Sequence, residues 1–190
     1  MKDRMPKRAS GRYVVVDRDG TLNVEKHYLS DPAELELMPG VPEGLKLLQR
    51  HGFGLVVISN QSGVGRGIVS RNAVEAINAR LRELLERQGV RLDGIYYCPH
   101  TPEQNCDCRK PSPVMLYKAA QDLDFNPEES FVVGDKCSDL EMGKRANAVT
   151  ILVLTGYGKQ QALREKADFV VKDFRKAAAI IVQMVHRQND

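Results

Sequence analysis

Two carboxylates one residue apart carry the first chemical signal in this chain. In Val14-Val15-Val16-Asp17-Arg18-Asp19-Gly20-Thr21 an apolar run ends abruptly in acids. Such a run suits a strand buried on both faces of a parallel sheet, and open α/β sheets collect their ligands at the carboxyl ends of those strands. Alternation along an extended chain directs Asp17 and Asp19 to one side and Arg18 away. Gly20 permits a sharp turn behind them. A pair so placed can hold a hard divalent cation, or divide nucleophilic and acid/base roles between its members. Alone, the same residues would make an ordinary Asp-Gly turn; polar groups further along give them their meaning.

A second group is Cys98, His100, Cys106 and Cys108. Three thiolates and an imidazole within eleven residues fit one closed tetrahedral zinc site. One residue separates the members of each pair, which is not the spacing of a standard finger. Free thiols in a loop, or a Cys106–Cys108 redox pair, are the alternatives. Four protein ligands leave no open position, so zinc here would rigidify a loop rather than catalyse. That loop runs straight into Arg109-Lys110-Pro111, and the metal would fix both cations. Cys137 stands apart and reads as a small space-filling side chain.

The elements that must position these groups alternate between strand and helix. Strands are expected at Tyr13 to Asp17, Leu55 to Ile58, Ile95 to Tyr97, Ser130 to Val133, Thr150 to Leu154 and Phe169 to Val171. Between them, Val41 to His51 places Val41, Leu45 and Leu48 on one face. Ser70 caps a helix running to about Gln88, striped by Ile77, Leu81, Leu84 and Leu85. Ser112-Pro113 opens another, with proline at its first position. Ser138 and Glu141 fit a capping box for the next, and Asp173 to about Arg187 forms a closing helix. Asn23 to Gly40 is a long connection, of the kind usually kept for function. The alternation predicts an α/β fold, a parallel sheet with helices on both faces.

Four strand ends then carry polar residues: Asp17 and Asp19, Ser59 and Asn60, the loop to Arg109 and Lys110, and Asp135 and Lys136. D-x-D-G-T, a strand ending in Ser-Asn, a lysine before a helix and G-D-K-x-x-D together resemble the four motifs of the haloacid dehalogenase superfamily of phosphotransferases, over about Val14 to Gly156. The resemblance implies the three-layer Rossmann-like fold of that superfamily. Phosphoryl transfer needs an in-line nucleophile and neutralised charge. Asp17 is the candidate nucleophile and Asp19 the candidate general acid, then base. Asp17, Asp135 and the Asp19 carbonyl would hold Mg²⁺. Ser59 and Lys110 would bind phosphate oxygens, with Asp139 behind them.

The run CPH…CDCRKP, with DRDGT and SNQSGVGRG, narrows the resemblance. It is similar to the heptose-1,7-bisphosphate 7-phosphatases and the related histidinol-phosphate phosphatases, which have almost no cap domain. That likeness implies substrate contacts from Glu25, Lys26, His27 and Tyr28 and from Ser59, Asn60, Gln61 and Ser62. It further implies recognition by Arg109 and a site role for Lys136. Ser59 stands where the heptose enzymes usually carry threonine, and either hydroxyl can donate. The short zinc loop also resembles the histidinol-phosphate branch. QSGVGRG favours the heptose branch, because Arg66 could meet a second phosphate; without a following Gly-Lys-Ser/Thr it is no P-loop.

The composition is consistent with a small-molecule enzyme. A chain of 190 residues suffices for one core, read here as one domain over residues 13–190. The net charge of +3 gives no global field for nucleic acid. Lys2, Arg4, Lys7, Arg8 and Arg12 form a basic arm, residues 1–12, expected to be disordered. The only role for a non-enzymatic reading would be a zinc-stabilised module using that arm on nucleic acid. No apolar stretch approaches the ~18 residues of a membrane span and no signal core is visible. The expectation is therefore a cytoplasmic, monomeric phosphatase of a sugar bisphosphate, with Mg²⁺ and Zn²⁺.

Overall fold

The computed structural model describes residues 11–187; the expected basic arm lies outside them except for Gly11 and Arg12. Six parallel strands form the sheet: β1 (Tyr13–Val16), β2 (Gly54–Asn60), β3 (Gly94–Cys98), β4 (Phe131–Gly134), β5 (Val149–Val153) and β6 (Phe169–Val171). Their spatial order is β3-β2-β1-β4-β5-β6. Val16 pairs with Val57 on one side and Val133 on the other. The chain builds outward from β1 to β3, then returns to the other side of β1 for β4. The crevice between β1 and β4 is thus the topological switch point, where such sheets bind ligands.

Alternation within the apolar strands feeds two cores. Val14 and Val16 face a cluster with Leu45 and Leu48 of α1 (Val41–Arg50), Ile77, Leu81 and Leu85 of α3 (Arg71–Glu86), and Phe174, Ala177 and Ile181 of α7 (Phe174–Arg187). Val15 faces the opposite cluster, with Met115, Leu116 and Ala119 of α4 (Val114–Leu123) and Met142 of α5 (Cys137–Arg145). Helices therefore cover both faces, as strands without a polar side require. Ser70 caps α3 by accepting from the Ala73 N–H at 3.1 Å.

Two local readings are corrected. First, α5 begins at Cys137, so its third position is Asp139 rather than Glu141. Asp139 Oδ2 accepts from the Lys136 N–H at 3.0 Å, whereas Glu141 reaches Arg145 one turn on. Second, α4 begins after Pro113, which occupies the cap and not the first helical position. The Gly-rich run after β2 contains a single helical turn, α2 (Ser62–Gly65), and a further short turn, α6 (Gly158–Gln161), follows β5.

Phe174 is buried at the start of α7, where that helix packs on α1 and on Phe131 and Val133 of the sheet. Phe174→Ala is expected to destabilise the protein by about 3–5 kcal/mol, measured as a shift in the urea midpoint at unchanged slope.

Candidate active site

The centre of the site is a cluster of buried acids at the β1/β4 crevice. Asp17 directly follows β1, and its N–H donates to Val133 O at 2.9 Å, extending the ladder by one rung. Asp135 directly follows β4. One of its oxygens, Oδ2, accepts from the Tyr157 N–H at 2.7 Å; the other, Oδ1, is buried without a hydrogen-bond partner. Gly20 (φ +86°) and Gly156 (φ +51°) close over this carboxylate, and a Cβ on either would run into Oδ2. Carboxylate oxygens of Asp17, Asp135 and Asp139 all lie within 4.8 Å of one another.

Lys110 is the counter-charge. Its Nζ lies 2.7 Å from Asp17 Oδ1, 2.6 Å from Asp139 Oδ1 and 2.7 Å from Ile58 O. Burial would lower its pKa, but Asp139 and then Asp17 hold it above the usual lysine range. Burial, followed by the charge of Asp17, pushes the Asp135 carboxyl up to about 8. Burial also raises Asp139, against the pull of Lys110. An orphaned carboxylate oxygen beside two more acids fits a hard divalent cation. Asp135 can supply Oδ1 to it and Asp17 its Oδ2, while both Asp139 oxygens are taken, Oδ1 by Lys110 and Oδ2 by the Lys136 N–H.

Asp19 sits in a different environment. Its Oδ1 accepts from Asn23 Nδ2 at 3.0 Å and its Oδ2 from Gln61 Nε2 at 2.8 Å. Arg18, expected to point away, instead turns its guanidinium onto Asp19 at 2.8–3.2 Å. The extended chain ends at Val16, and the backbone turns with the N–H groups of Leu22 and Asn23 on Arg18 O. Neighbouring side chains can then meet. Burial would raise the Asp19 pKa, but Arg18, Asn23 and Gln61 keep it below the ordinary carboxylate range.

Asp17 and Asp19 line one cavity of about 290 Å³ with Glu25, His27, Tyr28, Asn60, Gln61, Ser62, Arg109, Lys110 and Lys136. Asn60 clamps the backbone of Lys110, donating from Nδ2 to its carbonyl and accepting its N–H on Oδ1, both at 3.1 Å. Lys136 bridges to Glu25 at 3.1 Å and lies over the Tyr157 ring. Tyr157 Oη is 3.2 Å from His27 Nδ1. Three expected residues are placed otherwise. Ser59 is buried behind the cavity, its Oγ accepting from Gln61 Nε2 at 3.2 Å. Lys26 is exposed outside the lining. Arg66 is drawn off by Glu103, 3.5 Å away on the far side of the loop.

Cys98, His100, Cys106 and Cys108 converge. Their sulfurs are 3.2–3.5 Å apart, with His100 Nδ1 at 3.3 Å from Cys108 and 3.6 Å from Cys98. Bonds of about 2.3 Å in a tetrahedron set sulfurs about 3.7 Å apart, close to this spacing. Burial, with the neighbouring Cys108, pushes the Cys98 thiol up to about 12. Three sulfurs and an imidazole nitrogen this close together fit the donor set of a tetrahedral cation. Arg109 Nη1 donates to His100 O at 3.1 Å, tying the cluster to the cavity.

Arg18, Asn23, Asn78 and Tyr157 were missed in the sequence. Asn78 interrupts the apolar stripe of α3, a visible signal for a buried polar partner. Tyr157 lies on a short turn with no motif of its own.

Adding Mg²⁺ to chelator-stripped protein is expected to raise its unfolding free energy, by about 2.7 kcal/mol at a hundredfold excess over Kd, and Asp135→Asn to abolish most of the gain. The folded Asp135 pKa of about 8 exceeds the ordinary carboxyl value. Its contribution to metal-free stability is therefore present at low pH and lost as pH rises towards 8. Urea titrations from pH 5 to 8.5, with and without Mg²⁺, measure both effects.

The relatives share this arrangement's fold and length. A HAD-hydrolase-like family model matches residues 107–177. The chain is 42% identical over 166 residues to the D-glycero-beta-D-manno-heptose-1,7-bisphosphate 7-phosphatase of Haemophilus ducreyi, spanning 83% of this chain and 91% of that protein. Its identity to the enzyme of the same name from Escherichia coli K12 is 39%, over 83% and 87% of the two chains. It superposes on the D,D-heptose 1,7-bisphosphate phosphatase of B. bronchiseptica, crystallised with magnesium and phosphate, with a TM-score of 0.85, covering 91% of this chain and 99% of that one at 29% identity. With relatives matched at this identity along nearly their whole length, the chain belongs to the D-glycero-beta-D-manno-heptose-1,7-bisphosphate 7-phosphatase family.

Proposed function

We propose that this chain is a Mg²⁺-dependent phosphatase that removes the 7-phosphate of D-glycero-beta-D-manno-heptose 1,7-bisphosphate. The observation that carries the reading is one cavity whose floor holds Asp17 on a buried acid–lysine cluster and whose wall holds Asp19. An Asp17 oxygen attacks phosphorus, and the bond from phosphorus to the sugar oxygen breaks. Asp19, held as a carboxylate beside Arg18 in this structure, takes up a proton from solvent as the phosphate dianion binds and gives it to that leaving oxygen. Asp19, now a carboxylate, takes a proton from water as the water oxygen attacks phosphorus and the bond to Asp17 breaks. Asp17, Asp135 and the Asp19 carbonyl would hold Mg²⁺. When bound, the ion screens these carboxylates from the phosphoryl oxygens and neutralises charge developing there.

Arg109 is the residue for the second phosphate, since Arg66 is engaged with Glu103. A guanidinium fork suits a phosphate better than a point charge does. Glu25, His27 and Tyr28, with the Lys136–Glu25 bridge, supply donors and acceptors for sugar hydroxyls. Zn²⁺ on Cys98, His100, Cys106 and Cys108 keeps Arg109 and Lys110 in register. We place the enzyme in the cytoplasm as a monomer, with residues 13–190 forming one catalytic domain, acting on a free sugar phosphate rather than on nucleic acid or membrane. Among the described residues, no helix is long and apolar enough to cross a membrane.

Two sets of variants test the reading by phosphate release from heptose 1,7-bisphosphate, fructose 1,6-bisphosphate and histidinol phosphate. Asp17→Asn should abolish turnover, and Arg109→Ala should lower kcat/KM for the heptose bisphosphate by about 1.5–3 kcal/mol, the worth of a charge-assisted contact. Cys106→Ser with Cys108→Ser should release zinc, seen by elemental analysis, and weaken the bisphosphate in the same direction. Histidinol phosphate as the best of the three substrates would overturn the heptose assignment.

A further inference from the structure

Arg18 is the largest fully buried side chain of the described residues, at 1% exposure, and its guanidinium has a fixed set of partners. Nε and Nη2 grip both Asp19 oxygens, Nη2 also donates to Gln61 Oε1 at 3.1 Å, and Nη1 donates to Asn78 Oδ1 at 3.0 Å. Asn78 lies on α3 between Val74, Ile77 and Leu81, itself only 8% exposed. A buried guanidinium left without a counter-charge is strongly destabilising, so the fold fixes Arg18, and Arg18 fixes the Asp19 rotamer. A planar fork does this in orientation as well as distance.

We propose that Arg18, braced by Asn78, is a positioning residue that aims the Asp19 carboxyl at the leaving oxygen. The inference rests on the phosphatase reading and extends it to a residue pair outside the reacting atoms. Neither Arg18 nor Asn78 touches the substrate: Asn78 and Arg18 are absent from the cavity lining. Asp19 retains its own role of passing a proton to the departing sugar oxygen as the phosphorus–oxygen bond breaks. Without the brace, that carboxyl would still be present but would face the leaving oxygen in only a fraction of molecules, and misaligned acid groups lose rate steeply.

Leaving-group chemistry separates this role from a structural one. An alkoxide needs protonation to depart, whereas a p-nitrophenolate departs with little help. Since kcat/KM reports the steps through the first phosphoryl transfer, it isolates the acid role of Asp19 from its later base role. Asn78→Ala and Arg18→Met, the second keeping an apolar side chain of similar length, are assayed as Mg²⁺-loaded full-length protein on heptose bisphosphate, glycerol phosphate and p-nitrophenyl phosphate. Positioning predicts a loss of about 10²-fold on both alkyl phosphates, the lower end of what a general acid contributes, against a loss of no more than about fivefold on the aryl phosphate. KM for the alkyl substrates should change little. Equal losses on alkyl and aryl phosphates, or no loss on either, would overturn the proposal. Failure of the heptose assignment itself would show differently, as wild-type preference for another substrate, and the glycerol to p-nitrophenyl comparison would still decide the role of Arg18.

Discussion

Three buried carboxylates crowd the end of two adjacent strands, and the rest of the site follows from how their repulsion is met. At about 4 Å a like-charge pair costs about 4 kcal/mol in a protein of effective dielectric ~20. Asp17, Asp135 and Asp139 face that cost together, with solvent excluded. One lysine, Lys110, divides its protons among Asp17, Asp139 and the Ile58 carbonyl. Its saturation has a chemical meaning. Lys110 neutralises the surroundings of Asp17 first and would meet a phosphate only as that network rearranges. The unpaired Asp135 oxygen is the remaining deficit, which a proton relieves in the metal-free protein and a hard cation would fill.

That constraint reaches outward along the chain. Lys110 must come to the β1/β4 crevice from a loop that has little core of its own. Asn60, at the end of β2, grips its backbone from both sides, and the cysteine–histidine cluster immediately precedes it. The cysteine–histidine cluster and the strand end thus share one task, the placing of the buried Lys110 cation. Arg109, anchored on the His100 carbonyl, is carried to the cavity by the same support. A loop position one residue wrong would leave Asp17 and Asp139 without their counter-charge.

Much of this was legible in the sequence because it depends on period and on strand ends. Val14 to Val16 and Leu55 to Ile58 suit doubly buried strands, and their polar termini were therefore expected to meet at one edge. The ligand cluster was legible from residue type alone. Three kinds of feature were not. Helix starts slipped by two residues at Cys137 and by one at Val114, because several polar residues there could each serve as cap. Arg66 was read by its charge, but an exposed arginine goes to the nearest acid, here Glu103. Arg18 was read from strand alternation, which has failed by two residues after the strand stops.

The site divides into halves built by different physics. The chemical half, Asp17, Asp135, Asp139, Lys110 and the Arg18–Asp19 pair, is almost wholly buried, and its partners are fixed by the cost of leaving any one charge alone. The recognition half lies on exposed loops: Glu25, His27 and Tyr28 before α1, and Tyr157 after β5. His27 holds a positive φ of 57°, and its ring meets Tyr157, whose backbone N–H in turn holds Asp135. Lys136 spans the same gap, stacking on Tyr157 and bridging to Glu25. Without a separate cap domain, this strap is the connection between what the cavity mouth binds and the carboxylate beneath it. A ligand that moved Tyr157 would also move the backbone N–H that Asp135 accepts. Selection at the mouth and organisation of the acid cluster would then be coupled through that N–H.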